Sequence, residues 1–458
     1  MQKLIWLLLL VLLESVPVMA EDDFKYEKKI DALVNPYLTH NKINAVSVGV
    51  ISNGQIWKKH FGTLDGKGTP APNDKTLYEI GSISKVFTSI LLADAVVSGR
   101  LKLDDPISTI MKELAEKNPK LGNQITFLQL SLHTSGLPRM PTNFKPADPA
   151  NPFAGYDRSM LNDYLLKAKL KRKPGEKYEY SNLGAGLLGD LLSRQAGISY
   201  ETLLKQKLTG PLKMTDTSLT LLPKQLARFA APHNAAMFAD KAWDFDSLAG
   251  CGAIRSNVDD MLLFAEASLN PPEGKLGEAI DLAWKQHKPA RGKNRAMGLG
   301  WMIAGDGTTR WHNGQTGGYQ SMILVSRPLK SAAVLLCNTA GSNADNLAEQ
   351  IFQTIVGMNV PPRSFEKEIQ VDPKITKRLE GKYQLIPNVV MTIKVKNGRM
   401  MAQLTGQQFL AVIAQSETEW KYQAVEATLK FELPETGNSP KVTLHQSGRV
   451  MPFTRVSK

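Results

Sequence analysis

Cysteine is scarce in this chain: two of 458 residues, Cys251 and Cys337. That excludes a disulfide scaffold and any multi-cysteine metal site. The seven histidines form neither a His-x-His pair nor a His-Glu-x-x-His signature, which argues against a zinc hydrolase. No Gly-x-Ser-x-Gly elbow occurs, so an α/β-hydrolase is disfavoured too. Beyond Leu13, no apolar run approaches the roughly 20 residues that span a bilayer as a helix. Acidic residues are the minority sign, 43 against 56 basic, for a net charge of +13. With 42% hydrophobic and 22% charged residues, there is enough apolar material for a core, which rules out disorder as the main state.

What is present begins with an address. Lys3 precedes an unbroken apolar run over residues 4–13, and Val18-Met19-Ala20 stands before Glu21-Asp22-Asp23. This is the layout of a cleaved secretory signal over residues 1–20, and the run is too short for a membrane anchor. The expectation is a periplasmic or secreted protein. Export removes nucleic acid as a partner and leaves an anionic envelope surface as the counterpart of the positive charge. The cluster Lys167, Lys169, Lys171, Arg172 and Lys173 is read as a solvated helix end ahead of Pro174. Nothing in the sequence assigns an oligomeric state.

The chain then divides. Residues 45–51 and 55–61 flank Asn53-Gly54, a hairpin signal. From Ser82, the residues Ile83, Phe87, Ile90, Leu91 and Ala95 recur at helical spacing until Gly99, which predicts an amphipathic helix. Residues 130–281 are mostly helical in pattern, broken by loops. One loop carries Pro138, Pro141, Pro146, Pro149 and Pro152 and either walls a substrate cleft or is plain surface. Ser256-Asn257-Val258-Asp259 reads as a capping box. Strands are expected over 298–303, 321–326 and 332–337, and a helix through Leu347, Ile351, Phe352 and Ile355. Pro361-Pro362 breaks the chain, and Asn397-Gly398 marks another hairpin. Residues 21–360 are read as a catalytic domain and 365–458 as a small all-β, barrel-like domain.

Ser82-Ile83-Ser84-Lys85 places a hydroxyl and an amine nearly one helical turn apart, on one face. A serine hydroxyl is a weak nucleophile until a base takes its proton, and a lysine amine can do so where its surroundings favour the neutral form. The helix start also offers backbone N–H groups to an oxyanion. Two further motifs follow: Tyr180-Ser181-Asn182, then His312-Asn313-Gly314 ahead of Gln315-Thr316-Gly317-Gly318-Tyr319.

These three motifs, in this order and at this spacing, resemble those of class C β-lactamases and the related D-alanyl-D-alanine peptidases and esterases. The surrounding text agrees: His133-Thr134-Ser135-Gly136-Leu137-Pro138, Pro174-Gly175, residues 252–256 and Met297-Gly298-Leu299-Gly300-Trp301. The resemblance covers roughly residues 43–356. It implies the serine β-lactamase/DD-peptidase fold, α/β (α+β), with an antiparallel sheet flanked by helices and a helical subdomain. It also implies a hydrolase that forms an acyl-enzyme on Ser82 without metal or cofactor. Lys85 and Tyr180 would share the base work, in an order left open. Asn182 would donate to the substrate carbonyl and to Lys85. The backbone N–H groups of Ser82 and Gln315 would form the oxyanion hole, and His312, Asn313 and Gly314 would border the substrate. The substrate would be a β-lactam, a D-alanyl-D-alanine peptide or an ester. A non-catalytic cell-wall binding protein is the alternative of a different class.

The third motif departs from class C β-lactamases, which usually carry Lys-Thr-Gly there. A lysine is a fixed positive charge suited to a substrate carboxylate, whereas histidine is mostly neutral near pH 7. Asn313 in place of threonine alters a further expected hydrogen bond. The departure puts efficient β-lactam hydrolysis in question but leaves slow acylation by β-lactams in place. A Cys251–Cys337 disulfide stays open, and His133 is read as structural.

Overall fold

The computed structural model describes residues 24–456 apart from 67, 69, 289–295, 397, 408 and 424. The signal-like segment 1–20 lies outside the described residues. Eight strands precede residue 338: β1 (Ala45–Ser52), β2 (Gln55–Gly62), β3 (Tyr78–Glu79), β4 (Arg255–Ser256), β5 (Met302–Ile303), β6 (Arg310–Gln315), β7 (Gln320–Ser326) and β8 (Ser331–Cys337). Six form one antiparallel sheet in the order β2-β1-β8-β7-β6-β5, and β3 pairs with β4. Asn53 and Gly54 both have positive φ, as a two-residue type I′ hairpin turn requires.

Strands β1, β7 and β8 are buried residue for residue because helices cover both faces of the sheet. Val46, Val48, Met322, Leu324, Ala333 and Leu335 share one cluster with helices Glu27–Thr39 and Ala344–Ile355. Their neighbours Ile323, Val325, Val334 and Leu336 share another with helix Val258–Leu269. Strands covered on both sides need no polar alternation, so they read in the sequence as continuous apolar runs. Gly49 lets the helix close on the sheet, since a Cβ there would come within 2.8 Å of Val258 Cγ2.

Several sequence expectations shift. The expected strand over 298–303 shrinks to β5, and β6 is a further strand that carries the third motif. The cap of helix Val258–Leu269 is Asn257, whose side chain accepts from the Asp260 N–H at 2.9 Å. Ser256 is instead held in β4 opposite Tyr78. Helix Ser84–Val97 is not amphipathic; Ser84 to Ala95 are all buried, because it runs between helices Asn182–Ala196 and Lys275–Trp284. Cys251 and Cys337 are both buried and unpaired, one in each of the two clusters. Lys167, Lys169, Lys171 and Lys173 are exposed, and Arg172 pairs with Glu179 at 2.8 Å.

The tail closes on itself. Strands β9 (Gly381–Ile386), β10 (Val389–Lys396), β11 (Arg399–Leu404), β12 (Leu410–Ala414), β13 (Glu419–Tyr422), β14 (Ala427–Phe431), β15 (Lys441–Gln446) and β16 (Arg449–Val456) form an antiparallel barrel in which β16 pairs back with β9. Closure removes the open edges that a free sheet would expose. Its interior holds Tyr383, Met391, Trp420, Leu429 and Phe453, with Leu379 supplied by the short helix Pro373–Leu379. The hairpin expected at Asn397-Gly398 is the β10–β11 pair, although Asn397 lies outside the described residues. The barrel meets the rest of the chain where Met401 and Ala411 pack on Ala236.

Among the described residues, no helix is long and apolar enough to cross a membrane, and no group of His, Cys, Asp or Glu could hold a metal ion.

Candidate active site

Strand β3 leads into a 3-10 turn, Gly81–Ile83, and then into helix Ser84–Val97. Ser82 sits on that turn. Gly81 has φ +50°, and a Cβ on it would stand 2.7 Å from the Gln315 nitrogen. The absence of a side chain therefore lets the end of β6 close on the turn. Gly314 makes the second close approach: a Cβ there would lie 2.0 Å from the Ile80 carbonyl oxygen. The Ser321 hydroxyl donates to the same carbonyl at 2.8 Å. The backbone N–H of Gln315 is thus brought beside Ser82 by two glycines and one serine.

Lys85 is 2% exposed. Its Nζ lies 2.9 Å from Ser82 Oγ and donates to the Cys251 carbonyl at 2.6 Å. That carbonyl is held against the helix by neighbouring bonds. Thr88 donates to the Gly250 carbonyl at 2.7 Å, and the Ile254 N–H donates to Ser84 Oγ at 3.1 Å. The Cys251 carbonyl is the partner that the sequence reading missed, because backbone acceptors leave no residue-type signal. The expected Asn182–Lys85 hydrogen bond does not form. The Asn182 amide faces Met140 Sδ at 3.8 Å instead.

Tyr180 covers this pair. Lys85 Nζ is 5.0 Å from its ring centroid, and the His133 ring is 4.5 Å away. The segment 133–139 positions Tyr180, Ser181 and Asn182 through its own polar groups. The Ser181 N–H donates to His133 Nδ1 at 3.2 Å, Ser181 Oγ donates to the Pro138 carbonyl at 2.7 Å, and the Arg139 carbonyl accepts from the N–H groups of Asn182 and Leu183. His133 is therefore a positioning group in contact with Tyr180. Because Nδ1 accepts, the neutral ring carries its proton on Nε2.

Strand alternation splits the third motif. Arg310, His312 and Gly314 point inward, whereas Trp311, Asn313 and Gln315 face the cleft. His312 is 1% exposed. Its Nδ1 lies 2.6 Å from the Asn313 carbonyl oxygen and so donates to it, which leaves Nε2 as an acceptor. Burial, reinforced by the Lys85 charge, pushes His312 down to about 3 and His133 well below the usual histidine range. Both rings are neutral at pH 7.

Two lobes flank Ser82. One is a cavity of about 310 Å3 with an aromatic wall of Phe144, Phe153, Trp243 and Phe245, closed by Met140. Phe153 stacks on Phe245 at 4.4 Å. Phe144, Phe153 and Met140 come from the proline-rich segment, which therefore walls the cleft. The other lobe, about 690 Å3, is lined by Tyr178, Tyr180, Trp311, Asn313, Asp345 and Glu349, among others. Trp243 is fixed from behind: its N–H donates to Glu79 Oε1 at 2.8 Å and its carbonyl accepts from Arg255. Burial raises the Glu79 carboxyl to about 7, against the pull of Arg255.

The buried neutral histidines make acid stability testable. A depressed pKa means that the unfolded state binds a proton the folded state refuses. His312 therefore contributes stability above pH 6.5, and this is lost as pH falls toward about 3. The expected slope from this residue is about 1.4 kcal/mol per pH unit within that window. Melting temperatures measured from pH 7 to pH 4 are expected to fall less steeply in His312→Asn than in the wild type. Parallel curves would refute the assignment.

Comparison with known proteins gives the family and the fold. The family model described as Beta-lactamase matches residues 30–356. A protein of Escherichia coli K12 named Beta-lactamase is 27% identical over 306 residues, covering 65% of this chain and 76% of that protein. The D-alanyl-D-alanine-carboxypeptidase/endopeptidase AmpH of the same organism is 29% identical over 266 residues, covering 56% of this chain and 68% of AmpH. Among solved structures, a class C beta-lactamase superposes with TM-score 0.65 at 22% identity, covering 74% of this chain and 99% of that one. The fold is therefore the mixed helix and sheet fold of class C structures, followed by an eight-stranded barrel.

Proposed function

The chain belongs to the Beta-lactamase family, and from that premise we propose that it is a serine acyl-hydrolase of the β-lactamase/DD-peptidase type. The observation that carries this reading is the Ser82–Lys85 contact at 2.9 Å, in which the amine is buried and anchored to a carbonyl. Ser82 Oγ attacks the substrate carbonyl and forms the ester. Lys85, the group in contact with the hydroxyl, takes the first proton when its amine is neutral. Tyr180, over Lys85, relays that proton to the leaving group. The N–H groups of Ser82 and Gln315 receive the oxyanion, and Asn182 and Asn313 orient the substrate. Water then hydrolyses the ester, with the same groups used in reverse.

A second reading, an esterase, is favoured by two observations: His312 adds no positive charge, and the smaller lobe is aromatic. The test treats both readings together. The protein is incubated with fluorescent penicillin and weighed intact, and rates are compared for nitrocefin, a D-Ala-D-Ala peptide and a short p-nitrophenyl ester. A single covalent adduct with turnover of the peptide supports the DD-peptidase type. Fast ester turnover alone supports the esterase. No adduct and no turnover would refute the acyl-enzyme. We propose export as well, on the strength of the apolar run over residues 4–13.

A further inference from the structure

The third motif has no cation, since His312 is neutral and Asn313 uncharged. Lys85 is enclosed and committed to Ser82 and the Cys251 carbonyl. The cleft nevertheless holds a guanidinium. Arg139 lines both lobes together with Ser82 and Gln315. Its backbone is fixed, because its carbonyl accepts the Asn182 and Leu183 N–H groups at 3.0 and 3.1 Å. Its guanidinium carbon lies 5.3 Å from the Tyr180 ring centroid. Neighbouring arginines are spent on carboxylates: Arg158 and Arg194 on Asp190, Arg172 on Glu179, and Arg255 on Glu79 and Asp244. Among the described residues, Arg139 has no such partner.

We propose that Arg139 recognises a carboxylate on the substrate, taking over the role that a lysine in the third motif would fill. The guanidinium fork matches a carboxylate in bidentate fashion and stays charged at any working pH. The Arg139 wall adjoins Ser82 and Gln315 in both lobes, which places a bound carboxylate beside the reacting serine. The substrate class is therefore an acyl donor bearing a free carboxylate near the scissile carbonyl, as a peptide C-terminus does, rather than a neutral ester. The inference rests on the Ser82 acyl-enzyme reading and deepens it.

The test uses one depsipeptide in two forms, the free acid and its primary amide. The wild type is expected to favour the acid in kcat/KM by about 10- to 100-fold, the range for a charged hydrogen bond. Arg139→Gln is expected to bring that ratio to within about twofold of one, with the change chiefly in KM. Arg139→Lys, a point charge without the fork, should fall between. An equal loss on both probes would show that Arg139 acts through Tyr180, and no preference in the wild type would also overturn the proposal. Calorimetric titration of Ser82→Ala with both probes separates the two readings. If neither probe is turned over by the wild type, but the acid binds more tightly and Arg139→Gln abolishes the difference, the acyl-enzyme reading fails and the carboxylate site stands. Equal binding of acid and amide overturns the site.

Discussion

Ser82→Ala is expected to abolish the covalent penicillin adduct and to lower turnover by about 10⁴- to 10⁶-fold, the range seen when a nucleophile acting as part of a unit is removed. The physical reason is specific to this position. Ser82 stands on a turn whose backbone is clamped by Ser321 and by the two glycines, so no other hydroxyl can take its place at the same distance from Lys85 Nζ. Ser84, two residues on, is fully buried and accepts from the Ile254 N–H, so it points into the core. The variant should fold, since it loses one side-chain oxygen at a half-buried position. An intact mass and a melting curve check both points. A Ser82→Ala protein that still carries the adduct would place the nucleophile elsewhere.

Lys85 substitutions are expected to be less severe than loss of the nucleophile but still large, and they discriminate between roles. Lys85→Ala removes the proton acceptor in contact with Ser82 and leaves the Cys251 carbonyl without its donor. The first effect lowers acylation by about 10²- to 10⁴-fold. The second costs about 1–3 kcal/mol of stability, as an unpaired buried acceptor does. Lys85→Arg keeps a positive charge but cannot release its proton. If Lys85 serves as a base, Lys85→Arg acylates as slowly as Lys85→Ala. If its role is only to supply charge, Lys85→Arg recovers. Pre-steady-state labelling with fluorescent penicillin reads the acylation step directly, apart from hydrolysis. Recovery in Lys85→Arg would move the first proton to Tyr180.

Much of the architecture was legible because its signals are local. The hairpin at Asn53-Gly54 follows from two residues that tolerate positive φ. Strands β7 and β8 follow from apolar runs, and the tail reads as β from alternation and turn residues. The helix after Ser82 was legible as a helix, but not as a buried one. The apolar spacing predicted an amphipathic helix with one solvated face, whereas its polar residues Lys85, Thr88 and Ser89 each bond within the core. The barrel-like character of the tail was legible from its short strands and turns, but which strands close it was not, since the pairing of β16 with β9 joins segments about 70 residues apart and register across such a distance leaves no local trace.

The sequence by itself determined the chemical inventory: a serine and a lysine one turn apart, a tyrosine and an asparagine on a second segment, and a histidine at the head of the third motif. Spacing fixes which residue types share a helical turn, because the helix repeat is a local property of the backbone. Tertiary structure alone decided how those types meet. It turned His312 inward and Asn313 outward, gave Lys85 a carbonyl rather than Asn182 as its second partner, and left Arg139 lining the cleft with no ion pair to a carboxylate among the described residues. Such outcomes depend on burial and on contacts between segments far apart in the chain, and burial sets whether a histidine keeps its charge.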